Sequence, residues 1–358
     1  MGSDPIVKGS EMARKLRAQP DGVCYHVVSR IAHREFMFDD VERDIVVGLL
    51  RKVSSFSGVF VVAYCIMGNH IHLLLFIDKP KTLKMYERWR ECLGVDVDMV
   101  QDNGMYKIDG SAWVSEQEAS EIRMCRQMSV LDRYETTVED LKKRMQCVMR
   151  PKAYGELMDS WSKLSAAELT AEHGRILKKT YDLSAFMKIL KQDISQYYNA
   201  RHKHTGALWE GRFRDSYLEK SLDPLTAVST YIDLNPWRAR MCETPDGYRW
   251  CSFAAAVAGN ESARAGYRFV YDTEADWSVV ENMHREQLRI RMDADTAEQE
   301  EREDALFTSG GIIGSANFVA MVSKNEKSAF PRERKTAPLE VEVGGKKVFS
   351  LRWLNILR

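Results

Sequence analysis

The hydrophobic pattern divides the chain into two packed stretches separated by a charged one. Residues 23–31 (Val-Cys-Tyr-His-Val-Val-Ser-Arg-Ile) form a near-continuous apolar run of strand length. Asp39-Asp40 offers helix-capping carboxylates, and Ile45, Val46, Leu49, Leu50 and Val53 then recur at helical spacing to about residue 55. Residues 59–67 predict a second buried strand, Gly68-Asn69 is turn chemistry, and 70–77 predict a third strand, which together make a hairpin. Strand, helix, strand, strand is the opening of a compact α+β sandwich, with helices on one face of a sheet.

Residues 81–180 differ in character. They are rich in Glu, Lys, Arg and Met, with helical patches at 82–93, 115–128, 137–149 and 163–180 broken by Gly104 and Gly110. No candidate chemistry falls here, and the expectation is a helical insertion with solvated faces. The core pattern resumes with Leu183, Phe186, Met187, Leu190, Ile194, Tyr197 and Tyr198, which predict an amphipathic helix over 182–199. Residues 207–218 predict a strand. Asp223-Pro224 predicts an N-cap with proline at the first helical position, Leu225, Val228 and Ile232 face the core, and Pro236 predicts a helix end near Asn235. Residues 248–253 begin a last packed segment. Residues 293–304 are acidic and predict an exposed helix or linker, 305–323 a small helical unit after a glycine turn, and the tail from 327 is basic and patchy. The organisation expected is a discontinuous core (13–80 and 181–260), an insertion (81–180), a linker with an acidic helix (261–304) and a small C-terminal region (305–358).

Composition narrows the class of partner. With 44% hydrophobic and 29% charged residues over 358 positions, the chain predicts a folded protein. Lys+Arg and Asp+Glu balance at 52 each, so any nucleic-acid surface is local. Residues 175–240 hold 12 Lys and Arg against 7 Asp and Glu, which places that surface there. Within it Trp209, Phe213 and Tyr217 interleave with Arg212 and Arg214, the pairing of stacking platforms and phosphate contacts that unpaired strands require; the plain alternative is an ordinary amphipathic strand. The seven cysteines have no CxxC spacing, no leader is visible, and no apolar run approaches the roughly 20 residues of a membrane span. A cytoplasmic location with reduced thiols, and no membrane partner, is expected.

Two motifs carry candidate chemistry. His70 and His72 alternate with apolar residues on a strand, so both imidazoles share one face and can hold one metal ion; two hydrogen-bonded core histidines are the competing reading. His26 is expected to be a satisfied core or sheet-face histidine. His202 and His204 lie in a polar basic loop and are expected to face solvent or phosphate. Tyr231 and Asn235, four apart on a short helix, share a face.

These residues resemble a known family. Cys24-Tyr25-His26-Val27-Val28-Ser29-Arg30, Met67-Gly68-Asn69-His70-Ile71-His72-Leu73-Leu74-Leu75, Leu190-Lys191-Gln192, Gly206-Ala207-Leu208-Trp209-Glu210-Gly211-Arg212-Phe213 and Tyr231-Ile232-Asp233-Leu234-Asn235-Pro236-Trp237-Arg238-Ala239 look like the REP-associated tyrosine transposases, single-tyrosine HUH transposases, in the family's order. Gly311-Ile312-Ile313-Gly314-Ser315 resembles the C-terminal part of longer members, and the insertion resembles one branch. Trp237 departs from the usual Val. The resemblance implies a ferredoxin/RRM-like HUH sandwich of antiparallel sheet and helices, with a helical insertion and a small helical C-terminal region. It implies a metal-dependent endonuclease and strand transferase acting on single-stranded, hairpin-forming DNA through a covalent 5′-phosphotyrosine. By the same resemblance Tyr231 is the nucleophile, His70 and His72 are metal ligands and Asn235 is the third ligand. Helical spacing separately sets Asn235 beside Tyr231. Arg238, inside the last motif, joins Trp209, Arg212, Phe213, Arg214 and Tyr217 as an expected DNA contact. Ligand softness admits Zn²⁺ equally, so Mg²⁺ or Mn²⁺ is the family's implication alone. A bacterial, nucleoid-associated monomer is expected, with a homodimer as the alternative. The competing functional reading is a domesticated hairpin-binding protein that does not cut; a third is a zinc protein with no DNA role.

Overall fold

The computed structural model describes residues 22–90, 93, 97–102, 105–108, 112–325, 339–343 and 346–352. The basic stretch 13–20 and much of the tail from 327 lie outside the described residues. The apolar runs form the expected strands: β1 (Val23–Arg30), β2 (Phe60–Ile66) and β3 (His70–Ile77). Helix α1 (Asp40–Ser57) starts from Asp39, whose carboxylate accepts from the Val41 and Glu42 amides in a capping box. The β2–β3 turn closes with the Met67 amide donating to the His70 carbonyl at 2.9 Å.

The central sheet has seven strands in the order β2-β3-β1-β7-β8-β10-β9, where β7 is Arg214–Leu218, β8 Gly311–Gly314, β9 Leu339–Val343 and β10 Lys346–Arg352. All pairings are antiparallel except β7 with β8. The C-terminal residues therefore do more than add helices: three of the strands come from them. Opposed residues on paired strands share a face. Val28 faces His72, Arg30 faces His70, and His26 faces Ser216, so this set shares one side of the sheet. Tyr25 and Tyr217 oppose each other on the other side, with ring centroids 5.3 Å apart.

Helices cover both faces, not the single face expected. Helix α8 (Leu183–His202) packs on α1 beneath the Tyr25–Tyr217 side. On the histidine side lies the later helix α9 (Leu222–Arg238), against β2 and β3. It starts after Ser221 rather than at Asp223, and it runs through Pro236. Proline cannot donate to the Ile232 carbonyl, but the Asn235 side-chain amide donates to the Tyr231 and Ile232 carbonyls at 2.7 and 3.5 Å, which offsets the missing bond. The strand expected over 207–218 is reduced to β7, because 207–213, with Gly211, is loop.

The insertion contains α2 (Lys81–Trp89), a separate three-stranded sheet of β4 (Val97–Asp102), β5 (Met105–Ile108) and β6 (Ala112–Ser115), and helices α3 (Glu116–Gln127), α4 (Val130–Arg133), α5 (Val138–Val148), α6 (Pro151–Trp161) and α7 (Ala166–Leu177). The small sheet departs from the all-helical expectation. Its helices bury their own clusters, one around Leu141, Met145, Trp161 and Leu177.

The stretch expected as a linker folds instead into helices α11 (Glu261–Tyr271) and α12 (Trp277–Asp293), after a short α10 (Ser252–Val257). Helix α11 rides so close on β2 that a Cβ at Gly266 would fall 2.1 Å from the Val62 carbonyl oxygen. The acidic segment is α13 (Ala297–Thr308), and α14 (Ala316–Asn325) follows β8. Among the described residues no helix is long and apolar enough to cross a membrane.

Candidate active site

Strand alternation and antiparallel register bring three histidines together. His70 and His72 sit two apart on β3, with ring centroids 4.8 Å apart. His26 comes from the neighbouring β1, its ring nearly parallel to that of His72 at 5.4 Å, and its Nε2 lies 3.1 Å from His72 Nδ1. His26 Nδ1 lies 3.1 Å from the Phe307 carbonyl oxygen. His70 Nδ1 lies 2.5 Å from Asn69 Oδ1 in the hairpin turn. Burial, with Arg30 adding repulsion, holds the His70 imidazole down to about 4. Burial pushes His72 well below its ordinary value, with His70, His26 and Arg30 adding to it. His26 is held at about 4 by burial, against the opposing pull of the Phe307 carbonyl. All three are neutral at pH 7.

Helix α9 sets Tyr231 over this group. Its ring lies 5.6 Å from His72 and 5.9 Å from His26, edge-on to both, and only 1% of the residue is exposed. The phenolic hydroxyl donates to Asp304 Oδ1 at 2.5 Å, and Phe307 packs against the ring at 4.8 Å. Burial first, then the Asp304 carboxylate, pushes the phenol well above its ordinary value, while Arg238 and Arg30 pull it down. Asn235 is one turn further along; its amide nitrogen serves the carbonyls of α9, and neither of those bonds uses its oxygen. Among the described residues, no three His, Cys, Asp or Glu side chains converge as a metal cage.

The expected DNA contacts are distributed unevenly. Arg212 and Arg214 are exposed. Trp209 is half-buried, its indole donating to the Lys191 carbonyl and Ser195 hydroxyl at 3.1 and 3.0 Å. Phe213 is half-buried against the core, and Tyr217 is buried on the face opposite the histidines. Arg238 is not on the surface: its side chain is 4% exposed and pairs with Asp295 at 2.6 Å and Glu303 at 2.9 Å. His202 is exposed and His204 half-buried, in line with the solvent-facing alternative. His202 lies 2.7 Å from buried Glu42 of α1 and stacks on Tyr198, and His204 lies 3.1 Å from Asn199 Oδ1.

The residues of α13 that meet Tyr231 and the histidines were not marked in the sequence. Asp304 and Glu303 belong to the segment expected to be an exposed acidic helix or linker (293–304) and Phe307 to the small helical unit expected after it, yet Glu303, Leu306 and Phe307 are buried. Leu306-Phe307 was the available signal, an apolar pair ending an otherwise acidic run. Glu303 also pairs closely with buried Arg291 of α12.

Residues 21–88 match the family model described as "Transposase IS200 like". The match spans β1 through α2, including all three histidines, and supports a transposase role with DNA as partner. No curated protein and no solved structure matched.

Proposed function

We propose that the chain is a tyrosine-dependent single-strand DNA endonuclease and strand transferase of the REP-associated kind, with Tyr231 as nucleophile and His70, His72 and Asn235 as ligands of Mg²⁺ or Mn²⁺. The observation that carries this reading is the meeting of a tyrosine from α9 with a histidine pair from the hairpin, 5.6 Å from ring to ring. The family match contains the histidines but not the tyrosine, so the two lines of support are separate.

The donor chemistry fits a divalent ion. Two imidazoles on one strand face and an amide oxygen make a mixed nitrogen and oxygen set of the kind such an ion would accept. The bound ion supplies polarisation of the scissile phosphate and stabilises charge that develops there. The Tyr231 oxygen attacks phosphorus, the P–O3′ bond breaks, the phenolic proton leaves, and the departing 3′ oxygen takes one up. Because the phosphate stays esterified to tyrosine, attack by a different 3′-hydroxyl rejoins the strand. Arg30 and Arg238 flank the phenol and favour its ionised form against burial. The Tyr231–Asp304 bond occupies the hydroxyl, so a phosphate reaches it only when Asp304 gives way.

The test is incubation of the protein with labelled single-stranded hairpins and Mn²⁺ or Mg²⁺. A denaturation-resistant adduct, mapped by mass spectrometry to the Tyr231 peptide, is expected. Binding without an adduct on any hairpin would favour a protein that holds DNA and does not cut it.

A further inference from the structure

We propose that His26 is a positioning residue, which holds His72 in the tautomer whose Nε2 carries the free lone pair and ties that tautomer to the main chain of α13 through the Phe307 carbonyl. The inference rests on the reading of His70 and His72 as metal ligands.

The argument is a count of protons along one line of hydrogen bonds. A carbonyl oxygen only accepts. At 3.1 Å from the Phe307 oxygen, His26 Nδ1 must carry the proton. A neutral imidazole has one N–H, so His26 Nε2 is then an acceptor. It lies 3.1 Å from His72 Nδ1, and the proton between them must therefore sit on His72. Neutral His72 is left with a bare Nε2, the atom that can bind an ion. His70 reaches the same state by a different route, since the Asn69 side-chain oxygen 2.5 Å away requires the proton on His70 Nδ1. Two unrelated acceptors, one in the hairpin turn and one on α13, thus leave both histidines with Nε2 free.

The neutral condition has support in the surroundings. His26 and His72 are each 1% exposed, and Arg30, a cation, sits opposite His70 on the same face of the strand pair. A cationic His26 would donate from both nitrogens and force the proton of His72 onto Nε2, which blocks a ligand. Outer hydrogen bonds of this kind, when lost, typically cost about 10–100-fold in metal affinity.

The first measurement is a long-range ¹H–¹⁵N spectrum of the metal-free full chain with labelled histidine. Protons on Nδ1 of both His26 and His72 are expected; a proton on Nε2 of His72 would overturn the proposal. The second is Mn²⁺ affinity of His26→Leu and His26→Gln. Leucine removes the relay and is expected to lower affinity about 10–100-fold. Glutamine has an acceptor and a donor at similar separation and is expected to recover most of it. A folded His26→Leu with unchanged affinity overturns the role. If His26→Leu does not fold, the wild-type spectrum and the glutamine variant decide. Wild type that shows the expected tautomers but binds no Mn²⁺ overturns the metal reading and the positioning role with it. Wild type that binds Mn²⁺ but shows the other tautomer overturns only the relay.

Discussion

Helix α9 has two polar sides, and they are built differently. Toward α11 and α12 it presents Asp233, which is fully buried and accepts from the Tyr267 hydroxyl at 2.7 Å and from His284 Nε2 at 2.9 Å. His284 in turn lies 3.0 Å from the Tyr271 hydroxyl, and Ser252 lies 3.0 Å from that of Tyr267. Every partner is buried and belongs to α10, α11 or α12. Toward α13 it presents Tyr231 and Arg238. Here the partner of the hydroxyl is an exposed carboxylate, and Arg238 shares Glu303 with Arg291. Both sides leave buried polar atoms without a partner among the described residues: Asp233 Oδ1 on the first, and Arg238 Nη1, Arg291 Nε and Glu303 Oε1 on the second. The first side anchors the helix through Asp233; on the second, Glu303 ties α13 to α9 in buried ion pairs, and the carboxylate that caps the Tyr231 hydroxyl is exposed.

The largest effect expected is on the covered side. Tyr231→Phe keeps the ring among His26, His72 and Phe307 and removes only the oxygen. Covalent adduct formation should vanish entirely while the melting temperature and hairpin binding stay near wild type. An adduct of normal yield would remove Tyr231 from the reaction and erase the functional half of the comparison.

Next comes the anchoring side. Asp233→Ala leaves Tyr267 and His284 buried without their acceptor and should destabilise the chain by about 3–5 kcal/mol, read from urea unfolding. A loss below about 1 kcal/mol would show that the network does not anchor the helix.

A smaller effect with the opposite sign is expected at Asp304. Asp304→Ala removes a carboxylate that holds the phenol protonated and occupied. Adduct formation under single-turnover conditions should speed up with little change in melting temperature. A slower reaction would mean that Asp304 assists the nucleophile rather than covering it.

The smallest effect lies outside α9. Arg212→Ala and Arg214→Ala alter exposed side chains. Each should weaken single-strand binding modestly and reduce the slope of log affinity against log salt by roughly one. An unchanged slope in both variants would move the DNA surface elsewhere.

The opening strands and the helices α1 and α8 were more legible in the sequence than either side of α9, since α11 and α12 fall in a stretch expected to be linker. Strand periodicity and the Gly68-Asn69 turn marked β1 to β3, and helical periodicity marked α1 and α8. The small sheet β4 to β6 escaped because its strands are short and set in a polar context. The end of α9 escaped because the rule for proline assumes that nothing replaces the lost donor, and Asn235 does. His26 passed for an ordinary sheet histidine because its meaning depends on which strand lies beside it, and register between distant strands is not written in either strand alone. Asp304 escaped for the same reason at longer range: a carboxylate in an acidic run has no local mark that it meets a tyrosine on another helix.

The parallel pairing of β7 and β8 has a consequence for how the site works over time. Ser216 is paired with Gly311, Tyr217 with Ile312 and Leu218 with Ile313, so residues 219–310 leave the sheet at one strand and return at its neighbour. Both α9, which carries Tyr231, and α13, which carries Asp304, lie inside that single excursion. A released α13 stays held at both ends, and tethering of this kind gives a local concentration on the order of millimolar. On the proposed function, an incoming DNA strand would compete with an internal occupant that dilution cannot remove. Uncovering and recovering the hydroxyl are first-order events, with rates independent of how much protein is present.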